Sequence, residues 1–101
     1  MTLREYLLVC LIEECAEVSK AATKALRFGY LDLNPETMNS NAVDLELAMH
    51  DYEAVREMLQ THDILTRCLN RSWIDAKKAK MRQWMQYSRA QGCLDGTDQV
   101  D

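Results

Sequence analysis

Turn-forming residues are almost missing from this chain: it has three Gly and one Pro in 101 residues. So few backbone breakers, in a sequence rich in helix formers, point to a single all-α domain. No run of about 18 apolar residues is present, so no membrane-spanning helix is expected. The N-terminus has no charged stretch followed by an apolar segment and a small-residue cleavage site, so a soluble, cytoplasmic protein is expected. The four cysteines, Cys10, Cys15, Cys68 and Cys93, have neither CxxC spacing nor a His in zinc-finger register. They read as reduced thiols, with Cys10 and Cys15 as small core fillers. Excess positive charge is lacking too: 12 Lys and Arg stand against 16 Asp and Glu, a net charge of -4. A surface for a nucleic-acid polymer needs a broad basic stripe, so none is expected beyond local patches. There is no internal repeat and no low-complexity segment.

What the chain does have is long amphipathic periodicity. Residues 3–27 read as one helix, with Thr2 as N-cap and Gly29 as the stop. Residues 30–41 contain Asn34-Pro35 and the polar run Asn39-Ser40-Asn41, so they form a loop that returns the chain antiparallel. Asn41 is expected to cap a second helix running to about Gln60, and residues 63–69 to form a helical turn or a kinked continuation. Ser72 opens a third helix that reaches about Arg89, and the polar, acidic stretch 93–101 is expected to be a disordered tail. A domain this small cannot hide 48% hydrophobic residues internally, so the bundle of antiparallel helices should be completed by oligomerisation.

The chemistry-bearing feature is Glu13-Glu14-Cys15-Ala16-Glu17. On a helix Glu17 shares a face with both Glu13 and Glu14, and the apolar residues around them require at least one of these carboxylates to lie near the core. Crowded like charges are costly without a cation, and hard oxygen ligands select Mg²⁺ or Mn²⁺. The same stripe continues into Lys20, Lys24 and Arg27, an order from carboxylate to cation that suits a phosphate chain; ordinary intrahelical ion pairing is the competing account. After it, the loop offers Phe28 as an aromatic and several amides, Asn41 included, that could stack on and hydrogen-bond a nucleobase. Trp73 and Trp84 read as core or interface anchors, and His50 and His62 as incidental.

Glu13-Glu14-Cys15-Ala16-Glu17, then Lys24 to Gly29, then Leu45-Glu46-Leu47-Ala48-Met49-His50-Asp51, then Lys77-Lys78-Ala79-Lys80 leading to Tyr87-Ser88-Arg89 and Gly92, together resemble the MazG-like all-α nucleoside triphosphate pyrophosphohydrolases. The likeness covers about residues 3–92, with residues 1–92 taken as one MazG-like helical domain, and is to short bacteriophage members such as the MazZ type. It implies Mg²⁺, or Mn²⁺ in its place, held by Glu14, Glu17 and Asp51, with Glu13 as a further ligand or the group that orients the attacking water. It implies Lys77, Lys80 and, more weakly, Arg89 on the phosphates, and Lys24, Arg27, Phe28 and Asn41 around base and ribose.

The implied activity is Mg²⁺-dependent hydrolysis of a (deoxy)nucleoside triphosphate to monophosphate and pyrophosphate, with dGTP as first expected substrate. The implied assembly is a homo-oligomer, a tetramer before a dimer, with no membrane or nucleic-acid polymer as partner, in the bacterial host cytoplasm if phage-encoded. One position departs from the pattern: Ala48 stands where the resemblance calls for a Glu ligand. Asp44, one turn earlier, is displaced by about 6 Å along the axis and is not expected to substitute. The alternative is therefore a non-catalytic helical oligomer that binds nucleotide or protein.

Overall fold

The computed structural model describes residues 1–66 and 69–96. Among them the chain forms three helices, α1 (Leu3–Phe28), α2 (Asn41–Thr61) and α3 (Arg71–Ala90), and no strand beyond the isolated bridge between Leu33 and Ser40. The all-α expectation holds at this level. No helix among the described residues is long and apolar enough to cross a membrane. The chain divides into two compact units, Met1–Arg67 and Cys68–Asp101.

In the first unit, α1 starts where Thr2 accepts a hydrogen bond from the Glu5 amide at 3.1 Å. Such a cap satisfies one of the amides that a helix start leaves unpaired. It ends where Gly29 takes φ 104°, its amide still bonded to the Ala25 carbonyl at 3.1 Å. Only glycine is comfortable there, and for a second reason: a Cβ at Gly29 would lie 2.5 Å from Asp32 Oδ2.

The return loop is held by backbone pairing, Asn41 to the Asp32 carbonyl at 2.9 Å and Ala42 to the Tyr30 carbonyl at 2.8 Å. It delivers α2 antiparallel against α1, as the sequence indicates. The cap of α2 differs: Ser40 accepts from the Val43 amide at 3.2 Å, and Asn41 is the first helical residue. The Asn41 side chain is otherwise occupied, donating to the Gly29 carbonyl at 2.8 Å. A serine hydroxyl reaches its own second or third amide easily, which frees the asparagine for the cross-loop bond.

The register of the hairpin is consistent along its length. Thr2 and Arg4 share a cavity with His62, Asp63 and Ile64 at one end; Glu17 faces the space shared with Ala48; Lys24 lies near Asp44 at the other end. Leu7 and Leu59, 3% and 0% exposed, are the buried apolar core among the described residues. The thiols expected to fill that core do not: Cys10 is half-buried and Cys15 exposed, because the inward stripe steps from Leu7 and Leu11 to Glu14 and Val18 and leaves Cys15 at its edge. Cys68 lies outside the described residues.

α2 leaves through Asp63, at φ 59°, where the Ile64 amide returns to the Leu59 carbonyl at 2.9 Å and the Asp63 amide to Gln60 at 3.1 Å. This left-handed exit stops the helix outright. The helical turn expected over 63–69 is absent from its described residues, and Arg67 and Cys68 lie outside them.

In the second unit, α3 begins at Arg71, one residue before the expected Ser72, because Asn70 accepts from the Trp73 amide at 3.0 Å and so acts as the cap. It ends in the same left-handed manner at Gly92, φ 78°, with the Cys93 amide bonded to the Ser88 carbonyl at 2.8 Å. No residue of α3 is buried. Of the expected disordered tail, residues 93–96 are described and the rest lie outside.

Candidate functional site

Two cavities adjoin on the loop end of the hairpin. The larger, about 730 Å³, is lined by Lys24 and Phe28 of α1, Asn41 of α2 and loop residues 32–36. The smaller, about 200 Å³, is lined by Glu17, Lys20, Ala21 and Lys24 of α1, Asp44 and Ala48 of α2, and Asn34, Glu36 and Thr37 of the loop. Lys24, Asn34 and Glu36 belong to both. A space with one aromatic therefore adjoins a charged space, across Lys24, Asn34 and Glu36.

The partition between them is built on Asp44. Its carboxylate accepts from Thr37 Oγ1 at 2.8 Å and from the side-chain amides of Asn34 and Asn39, each at 3.1 Å. The hydrogen bond from Thr37 holds its pKa below the ordinary carboxylate value; burial opposes this, and Asn39, Asn34 and the Lys24 charge reinforce it. Asn34, 8% exposed, has both ends of its amide engaged, since its Oδ1 also accepts from the Glu36 amide at 2.9 Å. The bonding among these four polar side chains escaped the sequence analysis, which weighed Asp44 only as a substitute ligand and read Asn34 and Asn39 as loop signals. The signal available was the concentration of Asn and Thr just before an Asp in the first turn of a helix. One turn before Ala48, the oxygens of Asp44 therefore serve the loop.

The acidic residues of α1 separate by exposure. Glu14 is half-buried, whereas Glu13 and Glu17 are exposed, so Glu14 is the carboxylate that the apolar surroundings draw inward. Glu17 and Ala48 meet on the wall of the smaller cavity. Asp51, the third of the expected ligands, is exposed. The donors are all carboxylate oxygens, the chemistry Mg²⁺ prefers, but the set is short of the ligand that an alanine cannot supply. Among the described residues no three Asp, Glu, His or Cys side chains converge closely enough to hold a metal ion. His50 turns its ring to the Glu46 carbonyl at 2.8 Å.

Around the larger cavity, Phe28 and Lys24 are walls, while the Arg27 guanidinium lies over the Phe28 ring, 4.8 Å from its centroid. That stacking braces the aromatic from outside the cavity. Asn41 lines the cavity but is 3% exposed, its amide donors turned to Gly29, so it shapes the wall more than it offers donors. In the second unit Lys77 and Lys80, one turn apart, line a space of about 260 Å³ with Trp73 and Ala76. Arg89 donates to the Asp95 carbonyl at 3.2 Å, part of the exit from α3. Trp73, expected as a core or interface anchor, is 77% exposed, and Trp84 meets Tyr87 edge-on at 5.8 Å.

No known family model, no characterised protein and no solved structure matches this chain.

Proposed function

We propose that this chain handles nucleoside triphosphates at the loop end of the α1/α2 hairpin, as a Mg²⁺-dependent pyrophosphohydrolase whose turnover is held low by Ala48. The observation that carries the reading is the pair of adjoining cavities sharing Lys24. A nucleotide has the same division, an aromatic base at one end and a polyanion at the other. Phe28 and the loop would take the base, and Lys20 and Lys24 the first phosphates.

Glu14, Glu17 and Asp51 would hold Mg²⁺ or Mn²⁺, which when bound supplies charge neutralisation to the triphosphate. Glu13, exposed at the margin of this group, orients a water and takes its proton as the water oxygen bonds to the α-phosphorus. The bond from that phosphorus to its bridging oxygen breaks, releasing pyrophosphate and leaving the nucleoside monophosphate. Guanine deoxynucleotides are the preferred substrate on this reading. The protein works in the cytoplasm, that of a bacterial host if phage-encoded, as a homo-oligomer, a tetramer before a dimer.

Ala48 favours a second reading, a helical oligomer that binds nucleotide or protein without hydrolysing it. Pyrophosphate release from a dNTP panel, with and without Mg²⁺, separates the two. Mg²⁺-dependent release supports hydrolysis. Nucleotide binding with no release, in both the natural chain and Ala48→Glu, selects the second reading.

A further inference from the structure

The carboxylates of the larger cavity raise a question that the phosphate reading leaves open, since an acid is an odd neighbour for a polyanion. Of the polar side chains on that wall, Asn34 has both ends of its amide bonded and Asn41 donates from its amide to the Gly29 carbonyl. Asp32 and Glu36 form no side-chain hydrogen bond or ion pair with any described residue. They differ in place. Glu36 also lines the charged cavity, where it faces the phosphate side, whereas Asp32 lines the cavity of Phe28 alone.

Asp32 is also held. Its amide bonds the Gly29 carbonyl at 3.3 Å, its carbonyl accepts from Asn41, and its carboxylate rests against Gly29 so closely that a Cβ there would meet Oδ2 at 2.5 Å. The missing side chain of Gly29 makes room for that carboxylate.

A carboxylate is an acceptor with two oxygens and no donor, so it pairs best with two adjacent N–H groups. Guanine offers that edge, N1–H beside the 2-amino group. Adenine and cytosine each place one amino group beside an acceptor, and thymine places a single N–H between two carbonyls. We propose that Asp32 is the specificity-determining residue of the cavity, reading the N1–H and 2-amino edge of a guanine base seated against Phe28. The inference rests on the nucleotide reading above and adds to it a residue and a base edge.

The test is calorimetric binding of non-hydrolysable α,β-methylene triphosphates of the guanine, hypoxanthine, adenine and xanthine deoxynucleosides, with Mg²⁺, to the full chain and to Asp32→Asn. The natural chain should bind guanine at least about tenfold more tightly than hypoxanthine, which lacks the 2-amino group, and more tightly still than adenine. An Asn presents one acceptor and one donor, the complement of xanthine N1–H and O2. Asp32→Asn should therefore lose the guanine preference and gain at least about fivefold for xanthine, a gain that a misfolded variant cannot show.

Equal affinity of the natural chain for guanine and adenine overturns the inference and leaves the nucleotide reading standing. Failure to bind any of the four overturns both. If Asp32→Asn binds none while the natural chain binds, Asp32→Ser with an unchanged melting temperature decides: retained guanine preference overturns the assignment, and its loss with binding preserved supports it.

Discussion

Through Thr66, acids outnumber bases twelve to five, while α3 carries six cations, Arg71, Lys77, Lys78, Lys80, Arg82 and Arg89, against the single acid Asp75. The acidic hairpin settles its polar groups internally: Asp44 takes three side-chain bonds, Asn41 reaches across the loop, and Glu53 pairs with Arg56. The basic helix buries nothing and leaves Trp73, Trp84 and Tyr87 largely exposed. Internal satisfaction is what gives the hairpin shaped cavities, because a loop held at several points keeps its walls in place. Apolar surface is left to cover in both units, at Ile12, Leu26 and Leu31 of the first as at Trp73 of α3, so the proposed assembly has surface to bury on each.

The largest effect expected from breaking this contrast is at the glycines. Gly29 and Gly92 both have positive φ, but only Gly29 has a neighbour where a Cβ would go. Gly29→Ala should cost about 2–3 kcal/mol and disturb the loop, whereas Gly92→Ala, strained but unobstructed, should cost about 1 kcal/mol. Denaturant titrations of the two variants check this, and equal costs would mean that the close approach of Asp32 contributes nothing.

Next comes the site itself. Ala48→Glu should raise pyrophosphate release at least about tenfold, roughly 1.4 kcal/mol of transition-state stabilisation, by restoring a carboxylate on the wall beside Glu17. Without metal the same change should be neutral or destabilising, since it crowds like charges. Smaller is the expected linkage to metal. Mg²⁺ should raise the melting temperature, more so with a triphosphate present, and Glu17→Gln should remove that increment. An unchanged response in the variant would put the ion elsewhere.

The smallest expected effect is a pH slope. Because Asp44 has a folded pKa below its unfolded one, its contribution is present above the unfolded value and is lost as pH falls through the folded value. Acid melts of Asp44→Asn, which lacks the titrating group, should therefore be flatter than wild type below the ordinary carboxylate range, and less stable than wild type at neutral pH.

Helix boundaries were legible from sequence because they rest on local signals: Thr2 and Gly29 are a cap and a stop, and both act as such. The α2 start was misassigned by one residue because Ser40 and Asn41 are both competent caps, and only the cross-loop bond to Gly29 decides between them. The exit at Asp63 was unreadable for a similar reason, a left-handed residue with a side chain where glycine is the usual marker. Of the site, Glu17, Lys24, Phe28 and Ala48 could be placed on shared faces from helical spacing. The Asp44 network and the position of Asp32 depend on loop closure over ten residues or fewer, which periodicity does not encode.

The central claim is that the loop end of the hairpin is a nucleotide site. Photo-crosslinking with 8-azido-dGTP in Mg²⁺, followed by peptide mapping, tests it most directly. The account predicts label within residues 28–41, competed away by unlabelled dGTP. Label confined to α3, or label that dGTP does not compete, would contradict it.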